Sequence, residues 1–345
     1  MTISLVSFLS LLSQPPLLVA VVLTLAVILV NGWTDAPNAI ATAVTSGAMS
    51  FRSAVRLAAV CNLLGVACIC AVNTAVAETI YDIADFGSDT SAALTALCAA
   101  MVAIVLWSAA AWVFGIPTSE SHALVAGVTG AALALQGGFS NLHGGPWAKV
   151  LLGLVCSTLP CFYLGKSLGA RAGRRPVRDQ RPYRRLQVLG AGGMAFLHGA
   201  QDGQKFMGVF LLGVALAQGR RDTETFLLPL WLMVLCALVM ALGTSMGGRR
   251  IVDTVGRNMV SLDARRGFYA DLAGVLGLLG CTLLGLPVST THAKTAAILG
   301  VGAGGEAGRV NWGVAKSIAA TWVLTFPGCG LIGFLTARLF LRVFC

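Results

Sequence analysis

Two aspartates stand where a carboxylate is expensive. No charged residue occurs from Thr2 through Thr34, and then Asp35 appears in NGWTDAPN, Asn31 to Asn38. Asp202 sits in HGAQDGQK, His198 to Lys205, inside a second apolar segment running from Gln187 to Ala217. A carboxylate at membrane depth costs about 2.5–3.5 kcal/mol on insertion scales, so each needs a partner or a cavity. Gly32 with Pro37, and the glycines around Asp202, predict two helices that break and free backbone groups at these points. The alternative is a Pro/Gly kink whose Asp faces water. Asp35, Asn38 and Asp202, with Asn31, Thr34 and freed carbonyls, are hard oxygen ligands for Na+ or acceptors for H+. Lys205 is either a bridge to Asp202 or a contact for an anion.

Two hydroxyl-rich turns supply the opposite preference. GIPTSESH and GLPVSTTH each place Pro and Ser/Thr ahead of a small apolar run, the pattern of a capped helix N-terminus. Such an end exposes unpaired N–H groups and favours an anion. Ser119, Ser121, Ser289, Thr290 and Thr291 would add donors around a tetrahedral oxyanion held between two such ends. Ordinary N-caps at membrane–loop junctions are the plainer reading of either turn alone. A cation bound beside an anion raises its affinity, and the reverse holds equally, which is the thermodynamic basis of symport. His122 and His292 do not complete a hydrolase: no G-x-S-x-G elbow occurs, and each His lies three residues after its Ser. The pattern is that of a non-enzyme, with each His expected to bond locally on its own helix.

The elements that must position these groups are membrane spans. The 345 residues are 57% hydrophobic and 11% charged, where a soluble domain carries about a quarter charged residues. Uncharged windows at 57–77, 90–119, 225–248, 272–293 and 317–337 each reach the ~20 residues that a bilayer core requires. Residues 5–30 lack a basic leader and a cleavage site, and read as a retained span rather than a signal peptide. The net charge of +10 is concentrated in short loops, above all Arg171 to Arg185 with seven arginines. By the positive-inside rule that loop is cytoplasmic, and a nucleic-acid partner is not indicated. Gly248 to Arg266 is basic and amphipathic, and is expected to lie along the membrane surface. Ten scattered cysteines form no metal or disulfide pattern.

The series of segments is duplicated. Gly32 and Gly199, Asp35 and Asp202, Lys149 and Lys316, and Pro160 and Pro327 all differ by 167; Pro117 and Pro287, Ser119 and Ser289, His122 and His292 differ by 170. The expected architecture is an all-α polytopic cell-membrane protein (plasma or inner membrane) with a two-fold internal, inverted repeat, broken helices and paired re-entrant Ser/Thr turns. Repeats at 1–170 and 186–345 flank a basic linker at 171–185. Paired interruptions in such repeats point to the binding site of a transporter.

At these residues the chain resembles the PiT family of inorganic phosphate transporters, which carries G-A-N-D-x-x-N-A, H-G-A-N-D-x-Q-K-x-M-G and P-x-S-T-T-H elements. The matches are Gly32, Asp35, Asn38 and Ala39; His198, Gly199, Ala200, Asp202, Gln204, Lys205, Met207 and Gly208; and Pro287 through His292. GRRIVDTVG, Gly248 to Gly256, is also similar. The resemblance implies an inverted-repeat symporter that imports phosphate with Na+, or H+ second, often as a homodimer and with no cofactor beyond the coupling ion. Trp33-Thr34 replaces the family's Ala-Asn, Gln201 its second Asn, and Glu120 a Thr of the first turn. Thr34 and Gln201 keep oxygen ligands, with Gln201 and Lys205 counted on the substrate side. Glu120 would repel an anion unless protonated, paired or turned away. Sulfate permeation on the same fold, or a passive anion channel, are the competing expectations.

Overall fold

Among the described residues, seven of the helices begin at a capping side chain, Ser4, Ser50, Asp89, Ser119, Asp263, Ser289 or Asn311. The computed structural model describes residues 3–174, 179–219, 227–246, 248–305 and 310–345. In the first half, α1 (Leu5–Leu11) precedes α2 (Pro15–Thr34), α3 (Pro37–Thr45), α4 (Phe51–Cys70), α5 (Ala75–Tyr81), α6 (Thr90–Val113), α7 (Glu120–Gln136) and α8 (Gly144–Arg174). The second half comprises α9 (Arg181–Ala217), α10 (Leu230–Met246), α11 (Arg249–Asp253) with a π-turn at 254–258, α12 (Ala264–Leu283), α13 (Thr290–Gly304) and α14 (Trp312–Phe344). No strand occurs among the described residues. Of the basic linker, 175–178 lie outside them, as do 220–226 at the start of the span expected from Thr225.

Among the described residues, five stretches are long and apolar enough to cross a membrane: 15–45, 51–70, 90–113, 144–172 and 312–344, with a sixth if Leu230–Met246 is taken together with Arg249–Asn258. The chain is thus an all-helical, multi-pass membrane protein. α9 carries His198, Gln201, Asp202, Gln204 and Lys205, and α12 carries Asp271, all buried within the protein.

The main helix pairings recur when the halves are exchanged. α7 packs on α14 and α13 on α8; α4 packs on α9 and α10 on α2; α6 packs on α14 and α12 on α8. Each half therefore closes around the tip helix of the other. The two Gly-[Ile/Leu]-Pro elements explain how the tips are built. Gly115 (φ 67°) and Gly285 (φ 65°) adopt the left-handed conformation that ends α6 and α12. The amides of Ile116 and Leu286 then donate back to Ala111 O and Cys281 O at 3.0 Å, a Schellman closure in both halves. Pro117 and Pro287 redirect the chain, and α7 and α13 begin at once.

The two expected helix breaks differ. Between α2 and α3 the amides of both Asp35 and Ala36 reach Asn31 O, because Pro37 has no N–H to donate. At the matching place α9 runs unbroken for 37 residues through Asp202, so the second break is not there. Gln204 stands where the first half has Pro37 and keeps the donor. The glycines of that stretch serve close approach instead: a Cβ on Gly199 would strike the backbone of Asn62 on α4.

The segment after Gly248, expected to be basic and amphipathic, packs one side on the protein. Its apolar side, Ile251, Val252 and Val255, is buried, and α11 and the π-turn pack on α3. Arg249, Arg250 and Arg257 are exposed, whereas Arg265 and Arg266 are turned inward. Arg265 donates to Ala172 O and Arg266 pairs with Asp263 at 2.9 Å.

A second buried polar network lies off the two motifs and was not foreseen from sequence. Asp271 of α12 pairs with Lys294 of α13, both fully buried. Thr42 of α3 donates to Asp271 Oδ1 at 2.7 Å and accepts from Lys294 at 3.0 Å, and Lys294 also reaches Ala39 O.

Candidate functional site

Ser119 and Ser289 cap the tip helices identically, each Oγ accepting from the backbone amide three residues on at 3.2 Å. Both hydroxyls thus serve as N-caps. The first amides of each helix, at Glu120 and Ser121 and at Thr290 and Thr291, have no partner within the helix by its geometry. The tips meet: the rings of His122 and His292 are 4.6 Å apart, edge to face, with His122 stacked on Phe326 and His292 on Trp322. Neither His makes the local ring bond expected, and His122 Nδ1 and both ring nitrogens of His292 lack partners.

Asp35 and Asp202 come together with His198, their ligating atoms all within 4.8 Å of one another. Each tip reaches across to the other half's acidic residue. Ser121 lies 3.4 Å from Asp202, while Thr291 bonds to Asp35 and accepts from Asn38 at 3.0 Å. Thr290 meets His198 Nδ1 at 3.0 Å. Asn38 Nδ2 also holds Asp35 Oδ1 at 2.9 Å, and Asn31 Nδ2 donates to Asp202 Oδ2 at 3.1 Å. The candidate residues from both halves thus form one cluster. His198 joins it without having been singled out, although it lies in the stretch that carries Asp202.

Lys205 bridges the two halves. Its ammonium contacts Asp202 Oδ1 at 2.6 Å, Ser121 Oγ at 2.7 Å and Val288 O at 2.5 Å, using all three donors. Gln201, expected on the substrate side, is fully engaged within the protein. Its amide nitrogen donates to Thr282 Oγ1 and Leu286 O, and its oxygen accepts from the Val288 amide. Both polar ends therefore brace the loop that leads into α13. Glu120 is neither exposed nor turned away: its carboxylate bonds to Thr34 and lies within reach of Asn31. The two departures from the family pattern in the first half therefore touch.

The electrostatics follow from a count of buried charge. Three carboxyl groups, Asp35, Glu120 and Asp202, and one lysine, Lys205, meet in this cluster, all at most 2% exposed. Asn31 Oδ1, Asp35 Oδ2, Asn38 Oδ1 and Glu120 Oε2 have no donor. Buried oxygens without partners cost about 1–3 kcal/mol each, more when charged. Such a set fits hard cations with oxygen ligands, and the tip amides beside it fit an oxyanion.

Buried acidic, amide and hydroxyl groups from both halves of an all-helical membrane protein thus gather at one polar site among its helices. The model of the phosphate transporter family matches residues 31–170 and 161–333, and the chain belongs to that family. It is 37% identical over 319 residues to a protein of Bacillus subtilis (strain 168) named a probable low-affinity inorganic phosphate transporter, covering 91% of this chain and 93% of that one. A protein of Rhizobium meliloti (strain 1021) with the same name is 37% identical over 308 residues, 88% and 90% of the two chains. The fold also matches a solved structure described as the sodium-dependent phosphate transporter, with a TM-score of 0.82 at 22% identity, over 96% of this chain and all of that one.

Proposed function

We propose that this chain imports inorganic phosphate in symport with Na+ by alternating access, through one site shared by its two halves. The observation that carries the reading is the buried cluster of Asp35, Asn38, Asp202 and Thr291, in which acidic groups and helix tips from opposite halves meet. Asp35, Asn38, Asp202, Asn31 and Thr34 would hold the cations. The amides at the two tips, with Ser121, Thr290 and Thr291 released from their present partners, would hold the anion. The charge count explains why the ions must travel together. A phosphate entering beside three carboxylates and one ammonium is repelled, and becomes bound only with cations that offset the excess. An inverted relation between the halves would let the same site open to either side in turn.

The test is reconstitution into liposomes with labelled phosphate and labelled sulfate under imposed Na+ or H+ gradients. The reading requires phosphate to accumulate above its external concentration when Na+ is directed inward. Uptake that merely equilibrates marks a channel, and preference for sulfate replaces the substrate.

A further inference from the structure

The Asp271–Lys294 pair has no role in the site just described, and the fold does not need it. By the offsets of the repeat, the positions matching Asp271, Lys294 and Thr42 are Met101, Leu124 and Val209. All three are fully buried in one apolar core, Met101 and Leu124 on α6 and α7 and Val209 on α9. The same molecule thus fills the equivalent place with apolar side chains. A buried ion pair costs several kcal/mol per ion in desolvation, and apolar replacement is often neutral or stabilising. The asymmetry therefore calls for a function.

We infer that Asp271 and Lys294 form a proton-carrying site, separate from the Asp35–Asp202 cluster, that couples transport to proton movement; this rests on the reading of the chain as a coupled carrier. Asp271 has one free position, since Oδ1 takes Lys294 and Thr42 while Oδ2 has no partner. A proton bound at Oδ2 makes the O–H bond of the neutral acid and leaves the Lys294 ammonium without its counter-charge. That weakens the tie between α12 and α13; departure of the proton restores it.

The pair is placed to feel both the solvent and the transport site. Gly190 packs against Asp271, where any Cβ would collide with it. One turn back on α9, Gln187 has an unpartnered Nε2, and its Oε1 accepts from half-buried Ser46 at 2.6 Å. Ser46 ends α3 beside exposed Gly47, on the side where α9 carries Arg181, Arg184 and Arg185. Toward the centre, Thr42 is one turn from Asn38, and Lys294 is one turn from Thr290 and Thr291. Among the described residues Lys294 is the charged group set against Asp271. α3 presents Thr42, α9 presents Gly190, and Arg265 and Arg266 on α12 itself engage Ala172 and Asp263.

The test uses the full chain in proteoliposomes, without a Na+ gradient and with the membrane potential clamped at zero. An inward gradient of one pH unit should raise steady-state phosphate accumulation about tenfold per proton carried in the wild type. Asp271→Asn, which mimics the neutral acid, should lose that response while phosphate exchange at equal pH continues. The triple variant T42V/D271M/K294L copies the apolar set Val209, Met101 and Leu124 of the matching place and serves if Asp271→Asn alone fails to fold. It too should exchange phosphate without responding to pH. A wild type that accumulates phosphate with Na+ and ignores the pH gradient overturns the inference and leaves the proposed function standing. So does a variant that retains the full response. A wild type that follows neither gradient removes the coupled-carrier reading itself.

Discussion

Asp202→Asn should be the most informative single change, because it removes the partner of a saturated buried ammonium. Lys205 keeps Ser121 and Val288 O but loses its carboxylate at 2.6 Å, and it has no access to water. Breaking a buried pair by deleting one member costs about 3–5 kcal/mol, since the surviving charge is left uncompensated. Removing both charges in D202N/K205Q should therefore recover stability relative to the sum of the singles, with a coupling of about 1–3 kcal/mol. Asn31 and His198 also touch Asp202, so recovery should be incomplete. The assay is equilibrium unfolding of purified protein in detergent, with phosphate uptake in proteoliposomes measured alongside. Uptake should be lost in D202N and should stay lost in the double variant, because the cation ligand is absent from both. Singles that add within about 0.5 kcal/mol, or a double variant that transports, would refute the reasoning.

Three further outcomes are expected. Asn38→Ala removes the bond to Thr291 across the two halves and one of the two donors to Asp35 Oδ1, leaves Thr291 Oγ1 without its donor, and should cost about 1–3 kcal/mol with loss of Na+-dependent uptake; paired stability and uptake measurements check it. Glu120→Thr, which gives the first tip the residue that Thr290 provides in the second, removes one buried negative charge. It should lower the KM for phosphate and flatten the Na+ activation curve, both read from initial rates. Gly199→Ala should destabilise by about 1–3 kcal/mol through collision with the Asn62 backbone, whereas Gly280→Ala, which meets nothing, should be neutral or gain up to ~1 kcal/mol; thermal unfolding distinguishes them.

The parts of this molecule that were legible in sequence are those where one residue forces one conformation. Gly115 and Gly285 demand left-handed turns, the prolines after them forbid continuing helix, and Ser119 and Ser289 cap α7 and α13. The repeated spacing then pairs Asp35 with Asp202. The second helix break was misread because glycine next to a buried acid is compatible with two uses, unwinding and close packing. Only the backbone of α4 against Gly199 decides between them. For Lys205 and Gln201 sequence gives the side chain's chemistry and not the partners it meets, which here are Asp202, Ser121 and Val288 for the one and Thr282, Leu286 and Val288 for the other. Asp271 and Lys294 are 23 residues apart on different helices. Nothing in their spacing pairs them until α12 and α13 pack together.

The central claim is that phosphate and its cation share one buried site and stabilise each other there. Equilibrium binding of labelled phosphate to the purified protein, with and without Na+, addresses it directly, paired with Na+ binding at zero and saturating phosphate. The account predicts that each ion tightens the other by the same factor, as linkage requires, and that Asp35→Asn abolishes the effect. Phosphate affinity that is indifferent to Na+ and to Asp35 would contradict it.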